Sequence, residues 1–157
     1  MKRHWNYLKY LARHKWFVFQ EGWKLQVHLH RLILHDWQKF TPAEWTPYLK
    51  TFYGTADEKQ AAKMDFDLAW LHHQRKGTAH HWQAHILRLD DGGEAALPMP
   101  EQDQREMLAD WRAMGRQFGE HPPAKGWYLK NRHKIELHPW TRMWVEMELE
   151  VYDGDPS

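Results

Sequence analysis

Leu34-His35-Asp36-Trp37-Gln38-Lys39-Phe40-Thr41-Pro42-Ala43-Glu44 is the stretch that decides the fold, because it closes one expected helix and opens the next. Thr41-Pro42-Ala43-Glu44 has the form of a capping box with proline at the first helical position, so a short helix should follow. Upstream, apolar spacing predicts a helix over about residues 27–38, with Leu29, Leu32, Ile33 and Trp37 inward. On such a helix His35, Asp36 and Lys39 share a face, since offsets of three and four residues are neighbours. An imidazole, a carboxylate and an ammonium would then stand together.

Working outward, the rest of the chain also reads as helix. Residues 3–21 carry Tyr7, Leu8, Leu11, Trp16 and Phe19 near a helical period and should stop at Gly22. Thr55-Ala56-Asp57-Glu58 opens a longer helix to about Lys76, Gly77-Thr78 breaks it, and His80-His81-Trp82 begins a short one. Residues 88–100 read as an exposed loop, with Gly92-Gly93 the best place for a tolerated insertion or nick. Pro100-Glu101 starts a helix through about Phe118, and residues 125–135 and 139–152 close the chain with two more. The expected fold class is all-α, a single-domain helical bundle over residues 1–157 with a polar, histidine-rich centre.

Composition narrows the chemistry. The 157 residues include no cysteine, which excludes disulfides, thiolate zinc sites, iron–sulfur clusters and cysteine nucleophiles. Neither a Gly-x-Ser-x-Gly nor a Gly-Lys-Ser/Thr motif is present, so serine-hydrolase and P-loop chemistry have no support. No signal-peptide-like or membrane-spanning run is apparent, and a cytoplasmic protein without membrane contact is expected. Net charge is +1, with a basic first helix and a C-terminal set of Glu146, Glu148, Glu150, Asp153 and Asp155. These are expected to meet as complementary first and last helices; the other reading is a basic face for a phosphate-bearing partner. The eleven tryptophans are spread along the chain, which favours a structural role.

The thirteen histidines point to a metal. His72-His73 and His80-His81 flank a short loop, so one ring of each pair can enter a common pocket with His35 and Asp36. Asp110, in the apolar run Met107-Leu108-Ala109-Asp110-Trp111, needs a cationic partner if buried. His14 on the first helix reads as a core histidine with one hydrogen bond. His85 is a possible ligand, His28 and His30 are weaker, and Glu44 is taken up by its capping role. The residues themselves offer His35, Asp36, one ring of each His-His pair and Asp110 as candidates.

The order His14, His35-Asp36, two His-His pairs and Asp110, all on expected helices, resembles the HD-domain metal-dependent phosphohydrolases. His35-Asp36-Trp37-Gln38-Lys39 is similar to the His-Asp-x-x-Lys form of HD-GYP-type members. More closely, the chain resembles a bacterial and phage family, the domain of unknown function numbered 5662. That likeness rests on residues 34–44 with Pro47-Tyr48, Ala69-Trp70-Leu71-His72-His73, His80-His81-Trp82, Met99-Pro100, Asp110-Trp111 and Leu137-His138-Pro139. The chain departs from it at Gln38, where serine is usual, and at Lys76-Gly77-Thr78-Ala79, where an Asn-Pro is usual.

The HD resemblance implies an HD-like helical fold holding one or two divalent transition metals (Fe, Mn, Zn or Ni) on His14, His35, Asp36, His73, His80, His81 and Asp110, with Asp36 bridging if there are two. It implies metal-activated water attacking a nucleotide or related small phosphate ester, with Asp36 and Lys39 as catalytic residues. Two other functions remain open. A helical non-haem iron oxidase would usually draw on Glu-x-x-His motifs, which are missing here. A non-enzymatic phage-type accessory module would use the histidines as a structural metal site, or the basic first helix for nucleic acid. No oligomeric state is implied.

Overall fold

The computed structural model describes residues 1–154; Asp155 and the rest of the expected domain's C-terminal end lie outside them. The chain is mostly helical: α1 (Lys2–Lys24), α2 (Leu29–Leu34), α3 (Pro42–Tyr53), α4 (Ala56–Ala61), α5 (Lys63–Arg75), α6 (Glu101–Gln117), α7 (Lys125–Asn131) and α8 (Pro139–Glu148). Short 3-10 turns cover Trp37–Phe40, Trp82–His85 and Arg132–Lys134. Residues 88–100 are not wholly a loop: β1 (Ile86–Arg88) and β2 (Glu94–Ala96) pair antiparallel, Leu87 opposite Ala95, around Gly92-Gly93. No helix among the described residues is long and apolar enough to cross a membrane.

Helix α1 packs along α6 and organises two apolar clusters. Its N-terminal half gives Tyr7 and Leu11 to a cluster with Tyr48, Leu49 and Ala69 from α3 and α5. Val18 instead joins Leu32, Met107, Leu108, Tyr128 and Val145, which belong to α2 and the C-terminal helices. The buried stripe of α1 is therefore Tyr7, Leu11, His14, Val18, at helical spacing, with a histidine between the two clusters. The expected inward positions Trp16 and Phe19 lie off this stripe. Trp16, Phe19 and Trp23 stack on one another with centroids 6.0 and 6.2 Å apart, and both indoles are exposed.

Several other local expectations change. Gly22 does not stop α1; a Cβ there would lie 2.3 Å from Leu32 Cδ2, so it is the point where α2 crosses closely. The helix expected over residues 27–38 ends at Leu34, and of its inward set only Leu32 is buried, Leu29, Ile33 and Trp37 being exposed. The Thr55 capping box forms, with Glu58 N–H donating to Thr55 Oγ1, but the helix it opens breaks at Ala62. Tryptophans 5, 127 and 140 are exposed too, so indoles supply less of the core than expected. Several ion pairs tie the first and last helices to other elements. Glu21 of α1 takes Arg116 of α6 at 2.7 Å, Arg3 takes Glu58, and Glu148 of α8 meets Arg112 of α6.

Candidate metal centre

His35 and Asp36 are not on a helix. His35 leaves α2 with ψ 128°, and Asp36 has φ 57°, in the left-handed region that Asp tolerates better than most residues. A regular helix would turn neighbouring side chains about 100° apart. This break instead lets both point inward, at 0% and 2% exposure. The shared helical face expected for residues 35, 36 and 39 is thus a sharp turn, and the following 3-10 turn brings Lys39 Nζ back to 2.6 Å from Asp36 Oδ2.

The other six candidate ligands gather around Asp36. Its Oδ1 lies 3.2 Å from His73 Nε2 and 3.9 Å from His80 Nε2. Its Oδ2 lies 3.4 Å from His14 Nε2 and 3.6 Å from His35 Nε2. Asp110 Oδ1, from α6, is 3.0 Å from His14 Nε2 and 3.8 Å from His35 Nε2. His81 completes the Oδ1 side: ligand atoms of His73, His80 and His81 all lie within 4.8 Å of one another, as do those of His14, His35 and Asp36. The two carboxylate oxygens of one aspartate therefore face different imidazoles, and the two groups adjoin, since ligand atoms of His35, His80 and Asp110 also lie within 4.8 Å of one another.

The outer ring nitrogens are anchored. Nδ1 of His35 donates to Glu106 Oε1 at 2.8 Å, and Nδ1 of His73 donates to Glu44 Oε2 at 3.0 Å. Nδ1 of His80 is 3.0 Å from both the carbonyl and the hydroxyl oxygen of Thr78. An ionised carboxylate only accepts, so these imidazoles carry their proton on Nδ1 and turn a lone pair on Nε2 inward. Nε2 of His14, His35, His73, His80 and His81, with Asp36 Oδ1, have no aligned hydrogen-bond partner among the described residues. Buried polar atoms left unpaired are costly, and this many converging on one point need a common partner. The nitrogen and carboxylate donors, with carboxylates behind two of the imidazoles, fit a divalent transition metal.

Electrostatics agree with a site built for positive charge. Burial alone would raise the Asp36 carboxyl, but Lys39, His35, His14 and His73 together hold it well below the usual carboxylate range. Asp110 is likewise held low against burial, chiefly by His14. Burial pushes His14 down, yet Asp110 and Asp36 outweigh it and raise its pKa to about 9. Burial lowers His80 to about 4 and lowers His81 as well, so these two stay neutral and available as ligands. Lys39 keeps its proton, because Asp36 and Asp110 outweigh the burial of its ammonium.

The remaining candidates lie elsewhere. His28 and His30 are exposed, and His85 bonds to the Ala79 carbonyl at 2.8 Å. Glu44 corrects the sequence reading. The Thr41 side chain makes no cap; its hydroxyl donates to Gln38 O, and fully buried Glu44 instead joins His72 and His73. Glu106 escaped the sequence reading, although it sits one helical turn before Asp110 and so shares its face. The two departures from the family pattern touch: Gly77 has φ 82°, and a Cβ there would lie 1.8 Å from Gln38 Nε2.

Over residues 3–151 the chain matches DUF5662, a family of unknown function. No curated protein and no solved structure matches it.

Proposed function

We propose that this chain, which belongs to DUF5662, is a metal-dependent phosphohydrolase with an HD-like centre, acting on a nucleotide or related small phosphate ester. One observation carries the reading: both oxygens of Asp36 face unpaired, inward-turned imidazole nitrogens, His14 and His35 on one side and His73 and His80 on the other. That is the donor arrangement for two ions sharing one carboxylate. His14, His35, Asp36 and Asp110 would hold one ion, and Asp36, His73, His80 and His81 the other. When bound, such a pair supplies positive charge and a water of lowered pKa for attack on phosphorus.

The chain's own residues do the rest. Asp36 and Asp110 concentrate negative charge in an apolar surround, which keeps cations in place. Lys39, Asp110 and His81 are the centre's partly accessible residues, the side chains of the first two being 17% and 13% exposed, and an ester would approach on the Lys39 and Asp110 side. There the Lys39 ammonium can move from Asp36 to a phosphoryl oxygen and offset the charge that grows during displacement. His14 holds a proton between Asp36 and Asp110 in the metal-free protein and must give it up for Nε2 to bind an ion.

The test is elemental analysis of untagged protein beside Asp36→Ala, followed by a phosphate-ester and nucleotide screen of the reconstituted wild type. Near-stoichiometric iron, manganese, zinc or nickel that disappears in Asp36→Ala, together with phosphate release, supports the reading. Protein that stays metal-free after reconstitution, or a loaded protein inert toward every ester, overturns it.

A further inference from the structure

Glu106 is fully buried, and three groups converge on it, Arg31 and His35 from α2 and its C-terminal end and Thr78 from the segment after α5. His35 Nδ1 and the Thr78 hydroxyl both donate to Oε1, at 2.8 and 2.7 Å. Arg31 Nε donates to Oε2 at 2.7 Å, while the other arm of that guanidinium binds Asp103, one turn earlier on α6. A hydroxyl has a single proton. Since Thr78 gives its proton to an acceptor-only carboxylate, its oxygen must accept from His80 Nδ1, 3.0 Å away. Glu106 therefore fixes the proton on His35 Nδ1 directly and, through the Thr78 hydroxyl, braces the His80 ring, whose Nδ1 also donates to the Thr78 carbonyl at 3.0 Å. Those rings, with centroids 4.4 Å apart, face different oxygens of Asp36.

The other buried carboxylate is wired differently. Glu44 Oε2 takes His73, but Oε1 takes His72, whose ring faces partly outward at 38% exposure and is not near Asp36. Glu44 thus reaches the Oδ1 side of the centre alone. No cation comparable to Arg31 is bonded to it among the described residues.

We infer that Glu106, held in place by Arg31, is a positioning residue for both halves of the centre, that Thr78 relays it to His80, and that Glu44 positions one half only. This presupposes the two-ion centre proposed above. Outer partners of ligating histidines typically carry roughly 10- to 100-fold in metal affinity. Glu106→Gln should therefore weaken both ions by about that factor, whereas Thr78→Val and Glu44→Gln should each weaken one. Thr78→Ser keeps the hydroxyl and should restore wild-type binding.

Manganese titration of the full chain reads this out, with bound ions counted by elemental analysis. Electron paramagnetic resonance separates a spin-coupled pair from an isolated ion. The inference predicts a coupled pair in wild type and Thr78→Ser, a single isolated ion in Thr78→Val and Glu44→Gln, and neither in Glu106→Gln at the same free manganese. Should Glu106→Gln fail to fold, by far-UV circular dichroism and melting, the contrast of Thr78→Val with Thr78→Ser still decides the relay. Equal binding by Glu106→Gln, or by Thr78→Val, and wild type overturns the positioning role and leaves the two-ion reading intact. A wild type that takes up no more than one manganese overturns both. Phosphate-ester turnover is scored separately, so an inactive but doubly loaded protein would count against the hydrolase alone.

Discussion

The chemistry of this protein turns on single residues whose surroundings reverse their usual behaviour. Lys39 is a surface-type side chain, yet its ammonium is drawn onto Asp36 Oδ2 and is mostly covered. It bonds to a ligand without being one, so Lys39→Ala should leave metal content unchanged. Loss of its charge at the phosphoryl group should lower kcat by roughly 100-fold, the scale seen for one stabilising donor, in steady-state assays of the loaded protein. Gly77 offers a second residue-level test. Gly77→Ala meets both a positive φ of 82° and Gln38, and should lower the melting temperature. Adding Gln38→Ser should recover part of that loss, because it removes the collision and leaves the backbone strain.

At the scale of elements, α1 is where sequence and structure part. Periodicity in apolar residues selects Trp16 and Phe19, but the buried stripe passes through His14, a residue such counting discards. The helix is legible and its phase is not, because the site itself occupies a core position. Likewise, His35 and Asp36 could be identified as a pair, but the left-handed turn that aims both inward could not be read from spacing. Thr41 to Glu44 fits a capping pattern so well that Glu44's buried role is hidden, and Glu106 carries no motif at all. What is readable is the cluster itself, since adjacent imidazoles and a carboxylate in an apolar run are expensive for a fold to keep without a use. Gly22 tests the packing of α1 on α2. Gly22→Ala should cost about 1–3 kcal/mol by overpacking against Leu32, measured by denaturant unfolding. Because Leu32 closely precedes His35, the same variant should weaken metal uptake.

For the whole molecule, two apolar clusters meet across a polar seam, and ionisable groups inside them set its pH limits. Burial raises the phenols of Tyr7 and Tyr48 above their ordinary value, and burial with the hydrogen bond to Glu146 raises that of Tyr128. A group whose pKa is higher folded than unfolded stabilises the fold fully below the unfolded value, near 10 for tyrosine, and loses that contribution as pH rises beyond it. Tyrosinate absorbance should accordingly rise in two stages on alkaline titration, first from exposed phenols and then together with loss of helix. A single stage with helix intact would show that these three rings are accessible after all.

The hairpin between β1 and β2 divides the proposed ligands unequally. At its tip, Gly92-Gly93, an added Cβ would meet nothing within 4 Å, and the proposed ligands from His14 to His81 precede it while Asp110, with Glu106, follows. A chain severed at that tip would become two polypeptides that share one centre, neither carrying all its donors. Their reassembly should then answer to the ion: fragments mixed with manganese should co-elute, and a chelator should part them, making the inorganic component a measurable fastener between two pieces of protein.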